Sequence, residues 1–360
     1  MTSVLGYTVR WERRLHAPLV LRFGVPTISV ALAFIFGSAL LTADGVDPLR
    51  AYWQISRIFF TLSGISQALS VGAPVLLIAG GLAVAFRSGF WNIGAEGQYL
   101  MGAVGATWIA LFVPAIPPAL VVPLMVVVGF VSGAAWASVP ALLKARLGVN
   151  EVLTTLMTVY IALQLVFYLT LGPWRDPLVP AFAGTAQFPA YARLPRIPGT
   201  SIDPGIGIGI LIAIVLYQLM QRARVGFEIR VVGGSTSAAR YAGISYLRTI
   251  LLGMIVSGGL AGLAGMVVVS GSAGYLRAEI AVGYGFTGII VAWLAGLNTL
   301  AVIPATVLFS GLKVGAELLQ STMGVPEAFT VLFQAMIFIF VVVGQLFRLY
   351  RFRIIRTVSA

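Results

Sequence analysis

The feature that most constrains this chain is a recurrence of apolar runs, each about 20 residues long and parted by short polar turns. An α-helix rises about 1.5 Å per residue, so such a run matches the ~30 Å hydrocarbon core of a bilayer. The runs lie at residues 23–42, 59–86, 92–113, 119–142, 150–171, 204–221, 249–271, 282–297, 300–320 and 327–346. Inside hydrocarbon every backbone polar group must be satisfied within the protein, which leaves helices or closed barrels as spanning structures. These runs are continuous, without the alternation of a barrel strand. The expected fold is therefore all-α, a polytopic membrane protein of about ten transmembrane helices. With 59% hydrophobic and 9% charged residues, the chain is too apolar for an ordinary soluble domain. The eighth and ninth runs are short and nearly contiguous, and a tight hairpin that stops short of the far side is a second reading for them.

The 23 Lys and Arg residues set the orientation. With a cytoplasmic amino terminus, sixteen of them fall inside: Arg10, Arg13, Arg14, Arg22, Arg87, Lys144, Arg146, Arg222, Arg224, Arg230, Arg240, Arg248, Arg348, Arg351, Arg353 and Arg356. Six fall outside, Arg50, Arg57, Arg175, Arg193, Arg196 and Arg277, and Lys313 lies within a span. This asymmetry follows the positive-inside rule and puts both termini in the cytoplasm. The basic excess thus reads as topology, and no nucleic-acid partner is expected. Residues 1–22 form a basic tail, and the spacing of Trp11, Leu15 and Leu19 predicts an interfacial amphipathic helix there. No small-residue cleavage site precedes the second run, so the first is expected to be a retained helix. Residues 23–346 form the transmembrane domain, and residues 347–360 a second basic tail. The external loop 172–203, with Pro173, Pro177, Pro180, Pro189, Pro195 and Pro198, reads either as an ordered cap or as a slack connector. There is no Cys, and the single His16 sits in the tail, so no metal centre is expected.

One stretch departs from plain apolar sequence. In Gly80–Gln98, GGLAVAFRSGFWNIGAEGQ, the run is broken by Arg87, Ser88 and Gly89 and resumes with Asn92, Glu96 and Gln98 embedded in it. Asn92 and Glu96 are four apart, so one helix would present them on one face, with Tyr99 on the same side. A carboxylate inside a hydrophobic segment costs roughly 2–3 kcal/mol to insert and normally faces a bundle interior or watery cavity. The five glycines of the stretch give room for a bend, so a helix junction is expected. Two roles are open for Asn92, Glu96 and Gln98: fastening that junction through backbone hydrogen bonds, or lining a solute route.

Phe-Arg-Ser-Gly-Phe-Trp followed by Asn-Ile-Gly-Ala-Glu-Gly-Gln at 92–98 resembles the permease subunits of ABC importers that work with binding proteins of the basic membrane protein family. The resemblance extends over roughly residues 55–346. It implies a type II-like importer permease for nucleosides or simple sugars, paired with a second permease, a tandem ABC ATPase inside and a substrate-binding protein outside. In that setting this subunit is not an enzyme, and ATP is bound by the partner chain.

Further segments carry the same resemblance. Within the cytoplasmic loop 222–248, Ser235 or Ser237 can cap a short helix through Arg240, and Gly243 is placed to end it in a left-handed turn. RVVG and AARYAGI resemble the family's coupling loop, which implies ATPase contact by Gly234, Ser235, Ser237, Ala238, Ala239, Arg240, Tyr241 and Gly243. Ser235-Thr236-Ser237 stands where relatives often carry an acidic residue. Asn150 and Glu151 open the fifth run, either beside the solute route or simply as a helix start, where Asn caps and Glu meets the positive end of the dipole. In Gly283–Gly288, GYGFTG, Thr287 stands where the family often has Asp, and Gly285 and Gly288 suit close helix packing. Lys313 and Glu317, four apart, form a candidate intramembrane pair, or reach separately toward an interface.

No GxxxxGK[ST] occurs, and the only lysines are Lys144 and Lys313, so the chain has no phosphate-cradling loop of its own. An intramembrane hydrolase is disfavoured, because no His lies in a run. The competing class is a secondary transporter or channel that couples to ions through polar groups in broken helices. Few membrane carboxylates are grouped suitably for it.

Overall fold

The computed structural model describes residues 3–4, 7–13, 18–113, 116–179 and 183–356. Ten apolar helices follow the ten runs: α1 (Leu19–Ala43), α3 (Leu62–Arg87), α4 (Ala95–Phe112), α5 (Pro118–Leu147), α6 (Glu151–Leu171), α7 (Gly205–Arg222), α10 (Tyr246–Val267), α11 (Tyr284–Leu294), α12 (Val302–Met323) and α13 (Glu327–Leu349). Three more helices lie between them: α2 (Pro48–Arg57), α8 (Arg224–Gly234) and α9 (Thr236–Tyr241). Six of these helices, α3, α5, α6, α7, α10 with its extension to Ala273, and α12, are long and apolar enough to cross a membrane.

Residues 1–54 and 316–360 form one compact unit, and residues 55–315 another. In the first, α1 packs on α13: Ser29 Oγ donates to the Phe340 carbonyl at 2.9 Å, and Phe34 meets Phe333 edge-on with centroids 5.2 Å apart. Tyr52 of α2 donates to the Phe34 carbonyl at 2.6 Å. The expected amphipathic helix in the amino-terminal tail is not what forms. Strand β2 (Tyr7–Arg13) pairs antiparallel with β3 (Tyr350–Arg356), Trp11 opposite Phe352, and β1 (Ser3–Val4) flanks β2. Tyr7, Val9 and Trp11 alternate with polar residues, as do Tyr350, Phe352 and Ile354. That period of two suits a strand, and the partner strand satisfies its backbone. Arg14, Leu15 and His16 lie outside the described residues.

The second unit is built around α10. Its 28-residue stretch Tyr246–Ala273 is 83% buried in its most apolar window, against 28% for α5, α6 and α7, which turn much of their apolar surface outward. The contacts are backbone to backbone. Gly129 and Gly133 of α5 face Gly258 and Gly262 of α10, and Gly102 of α4 meets Gly262. A Cβ on Gly133 would stand 2.7 Å from the Gly262 Cα. Between apolar helices in lipid, association rests on such close packing, which needs small residues four apart on each face.

The loop 172–203 forms a cap strapped along the far end of α10 and the segment after it. Leu194 N–H donates to the Ser270 carbonyl, Ser270 Oγ to the Ala192 carbonyl, and Phe188 N–H to the Gly274 carbonyl, at 2.7–2.9 Å. Arg196 donates to the Gly271 and Ser272 carbonyls at 2.6 and 3.0 Å, a cation placed on the negative end of a helix. Residues Val268–Ala273 widen into a π-type turn beneath it.

Candidate functional site

The segment Ser88–Gly94 is a turn, made possible by the positive φ of Gly89 (80°), and α4 starts only at Ala95. Asn92 and Glu96 therefore do not share a helix face as expected. Asn92 stands before the helix and Glu96 in its first turn, and the two point to different partners. Asn92 and Gln98 exchange hydrogen bonds through their amides, both at 2.9 Å. Asn92 also donates to Ser257 Oγ of α10 at 3.0 Å and accepts the Gly94 N–H at 3.1 Å. All three side chains are fully buried. A buried amide pair satisfied on both sides fixes one geometry, because any displacement strands polar atoms in a low dielectric.

Glu96, also buried, reaches across to α11. One carboxylate oxygen accepts the Gly283 N–H at 3.0 Å and the other the Gly285 N–H. These are the orphan donors of a helix start, and the carboxylate sits at the positive end of the dipole. The local sequence is what permits this approach. Gly283 adopts φ 77°, and a Cβ on Gly285 would stand 2.7 Å from the Glu96 Cα. Thr287, one turn on, is buried, with its N–H on the Gly283 carbonyl.

The depth of this junction follows from α10. Asn92 meets Ser257, and Gly265 lies against the Tyr99 backbone, so Glu96 is level with the middle of the 28-residue stretch. α11 thus begins near mid-depth. Its 11 residues span about 16 Å, half the ~30 Å of a bilayer core. The eighth run is a half-helix, fed by the irregular segment 274–283. A chain may break its helix at such depth only where protein or a water-filled cavity serves its backbone, and broken helices are where transporters handle solute. Lys313 of α12 joins this start: its Nζ donates to the Val282 carbonyl at 3.2 Å and lies 4.5 Å from the Tyr284 ring centroid. Glu317, one turn further along α12, is exposed.

The remaining predicted residues lie elsewhere. Asn150 caps α6, accepting from the Val152 and Leu153 N–H groups, and Glu151 pairs with Lys144 at 2.7 Å across the Gly148 turn. Ser235 caps α9 by accepting the Ala238 N–H at 3.2 Å, and Gly243 ends it with φ 70°. Ala239 is buried in a cluster with Val232, Ala141 and Ile250, while Gly234, Ser235, Ser237, Ala238, Arg240, Tyr241 and Gly243 are exposed, Tyr241 to 95%. Among the described residues, no group of three or more His, Cys, Asp or Glu could hold a metal ion. Sequence reasoning missed Ser257, Asp203 and the α2 helix. Ser257 sits in a run of small residues, and its partner lies 165 positions away.

Residues 64–342 match the family described as the branched-chain amino acid transport system permease component. The chain belongs to this family. It is a multi-pass membrane permease subunit of a transport system. It is 33% identical over 360 residues to the glucose ABC transporter permease protein TsgB13 of Haloferax volcanii, covering 96% of this chain and 94% of that one. It is 32% identical to the nucleoside ABC transporter permease protein NupB of Lactococcus lactis, over 87% of this permease and 89% of that protein. The guanosine ABC transporter permease protein NupP of Bacillus subtilis is 32% identical, at 88% and 92% coverage. The same two bacteria carry more distant relatives of this permease, NupC and NupQ.

Proposed function

We propose that this permease imports nucleosides or related simple sugars, driven by ATP hydrolysis on a separate ABC ATPase and fed by an external substrate-binding protein. The observation that carries the reading is α9, a short capped helix on the connection between the apolar helices α7 and α10, with one residue anchored in the core and the rest of its surface exposed. Such a helix suits docking on a soluble partner, and the permease itself carries no phosphate-binding loop. The paired relatives NupB with NupC and NupP with NupQ support a second, dissimilar permease as the membrane partner.

In this reading all ten apolar helices lie in the cell (inner) membrane, both termini and α9 are cytoplasmic, and the 172–203 cap is external. The half-helix α11, with Asn92, Glu96, Gln98 and Thr287 behind it, shapes the solute route. Asn150 and Glu151 serve the cytoplasmic α5–α6 turn. Two measurements test this. Uptake of guanosine or glucose by the assembled transporter should require ATP and survive collapse of ion gradients. In the cysteine-free background, Ser237→Cys should label only from the cytoplasmic side, and external labelling overturns the topology.

A further inference from the structure

A pocket of about 250 Å³ opens above the start of α11, lined by Ser272, Tyr275, Arg277, Ile280, Val282 and Tyr284. We propose that it is a transient binding site for an uncharged nucleoside on its way through the permease, with the base between the tyrosines and its acceptor edge on Arg277. The inference rests on the importer reading above and names the solute class for that route.

Four observations converge on it. The size, just under the ~300 Å³ where ligand pockets begin, suits one small ring-bearing solute. Its polar side chains are donors or hydroxyls: a guanidinium that only donates, two phenols and a serine, with no carboxylate or amide side chain in the wall. A purine edge offers acceptors to such a wall, and a guanidinium meets N7 and O6 of guanine bidentately. A hexose presents no flat π-face to stack on the tyrosine rings. The walls are also held in place. Tyr99 contacts Tyr284 at 5.7 Å between ring centroids, near perpendicular, and donates to the Ile280 carbonyl, while Lys313 sits over the Tyr284 ring. Aromatic faces hold bases by stacking. Finally, the pocket sits where the π-type turn of α10 ends and the irregular 274–283 segment descends, and the adjacent helix terminus that would hold a phosphate is already filled by Glu96.

The test uses the complete transporter in proteoliposomes, with partner subunits and ATP. Arg277→Gln should lower guanosine uptake at subsaturating concentration about tenfold, since a good bidentate base contact is worth about that factor. Tyr275→Leu should also lower it, with membrane abundance unchanged for both. Because the chain has no Cys, Ser272→Cys supplies a direct occupancy readout: guanosine should slow its alkylation, and glucose should not. Normal guanosine uptake in both variants, or alkylation indifferent to guanosine, overturns the pocket assignment. Guanosine monophosphate protecting as well as guanosine overturns the uncharged class. Wild-type transporter that imports glucose and no nucleoside overturns the nucleoside assignment while leaving the importer reading intact. Absence of ATP-dependent uptake of either solute overturns the importer reading itself.

Discussion

Replacing Glu96 by Ala should cost this permease much of its stability, and the amount can be worked from the junction. The Gly285 N–H is buried and would lose its acceptor, a penalty of about 1–3 kcal/mol. The Gly283 N–H is only partly buried, so its loss falls near the lower end, about 1 kcal/mol. Removing the charge from the start of α11 adds about 0.5 kcal/mol, and the one methylene deleted in a packed site about 0.8 kcal/mol. The total, about 3–5 kcal/mol, approaches the whole stability of a typical domain. Glu96→Gln keeps the length and one accepting oxygen, so it should cost only about 1–3 kcal/mol. Glu96→Asp is too short to reach both glycines and should fall between the two. Thermal unfolding of the purified protein in detergent, together with its abundance in membranes, gives the ranking. Wild-type melting and abundance for Glu96→Ala would refute the fastening role, because no other change leaves those two N–H groups without their acceptor.

Gly243→Val should strain the end of α9 by about 1–2 kcal/mol or more, because φ is 70° there and a β-branched residue resists it. Transport-coupled ATP hydrolysis should fall while capture by the binding protein persists. Gly262→Leu should abolish folded protein on membrane-abundance blots, since even a Cβ at this position meets the Gly129 carbonyl and stands 2.9 Å from the Gly133 Cα. Burial pushes the Asp203 carboxyl above its ordinary 3.8, with the Gly205 N–H and Arg196 only partly opposing it. A raised folded value means stability that is fully present below about pH 3.8 and is lost as pH rises through the folded value. Asp203→Asn, which keeps an oxygen to accept the Gly205 N–H, should flatten this pH dependence of the melting temperature.

The ten apolar helices were legible because run length is a local property, and their observed ends lie within a few residues of the runs. The α9 caps were legible for the same reason, since Ser235 and Gly243 act on neighbours in sequence. The depth at which α11 begins was not. It depends on Glu96 finding glycines 187 and 189 positions away, and no local pattern reports such pairings. The amino-terminal tail illustrates a different loss. Trp11, Leu15 and Leu19 fit a helix period, but Tyr7, Val9 and Trp11 fit a strand period as well. A partner strand at the opposite end of the chain decided between them. Asn92 was placed on a helix because its spacing to Glu96 was right, yet Gly89 turns the backbone before that helix can begin.

α10 touches three levels of the second unit at once. Ile250 and Met254 near its start join the cluster that anchors α9, Ser257 near its middle holds Asn92, and Ser270 and Gly271 at its end hold the cap. Ile250 and Ser270 are 20 residues apart, about 30 Å of rigid rod. The glycine faces on α4 and α5 hold that rod without side chains to cushion it. A tilt or axial slip imposed at one end therefore cannot be absorbed along the way. It arrives at the other end as a change of register between the α9 cluster and the cap.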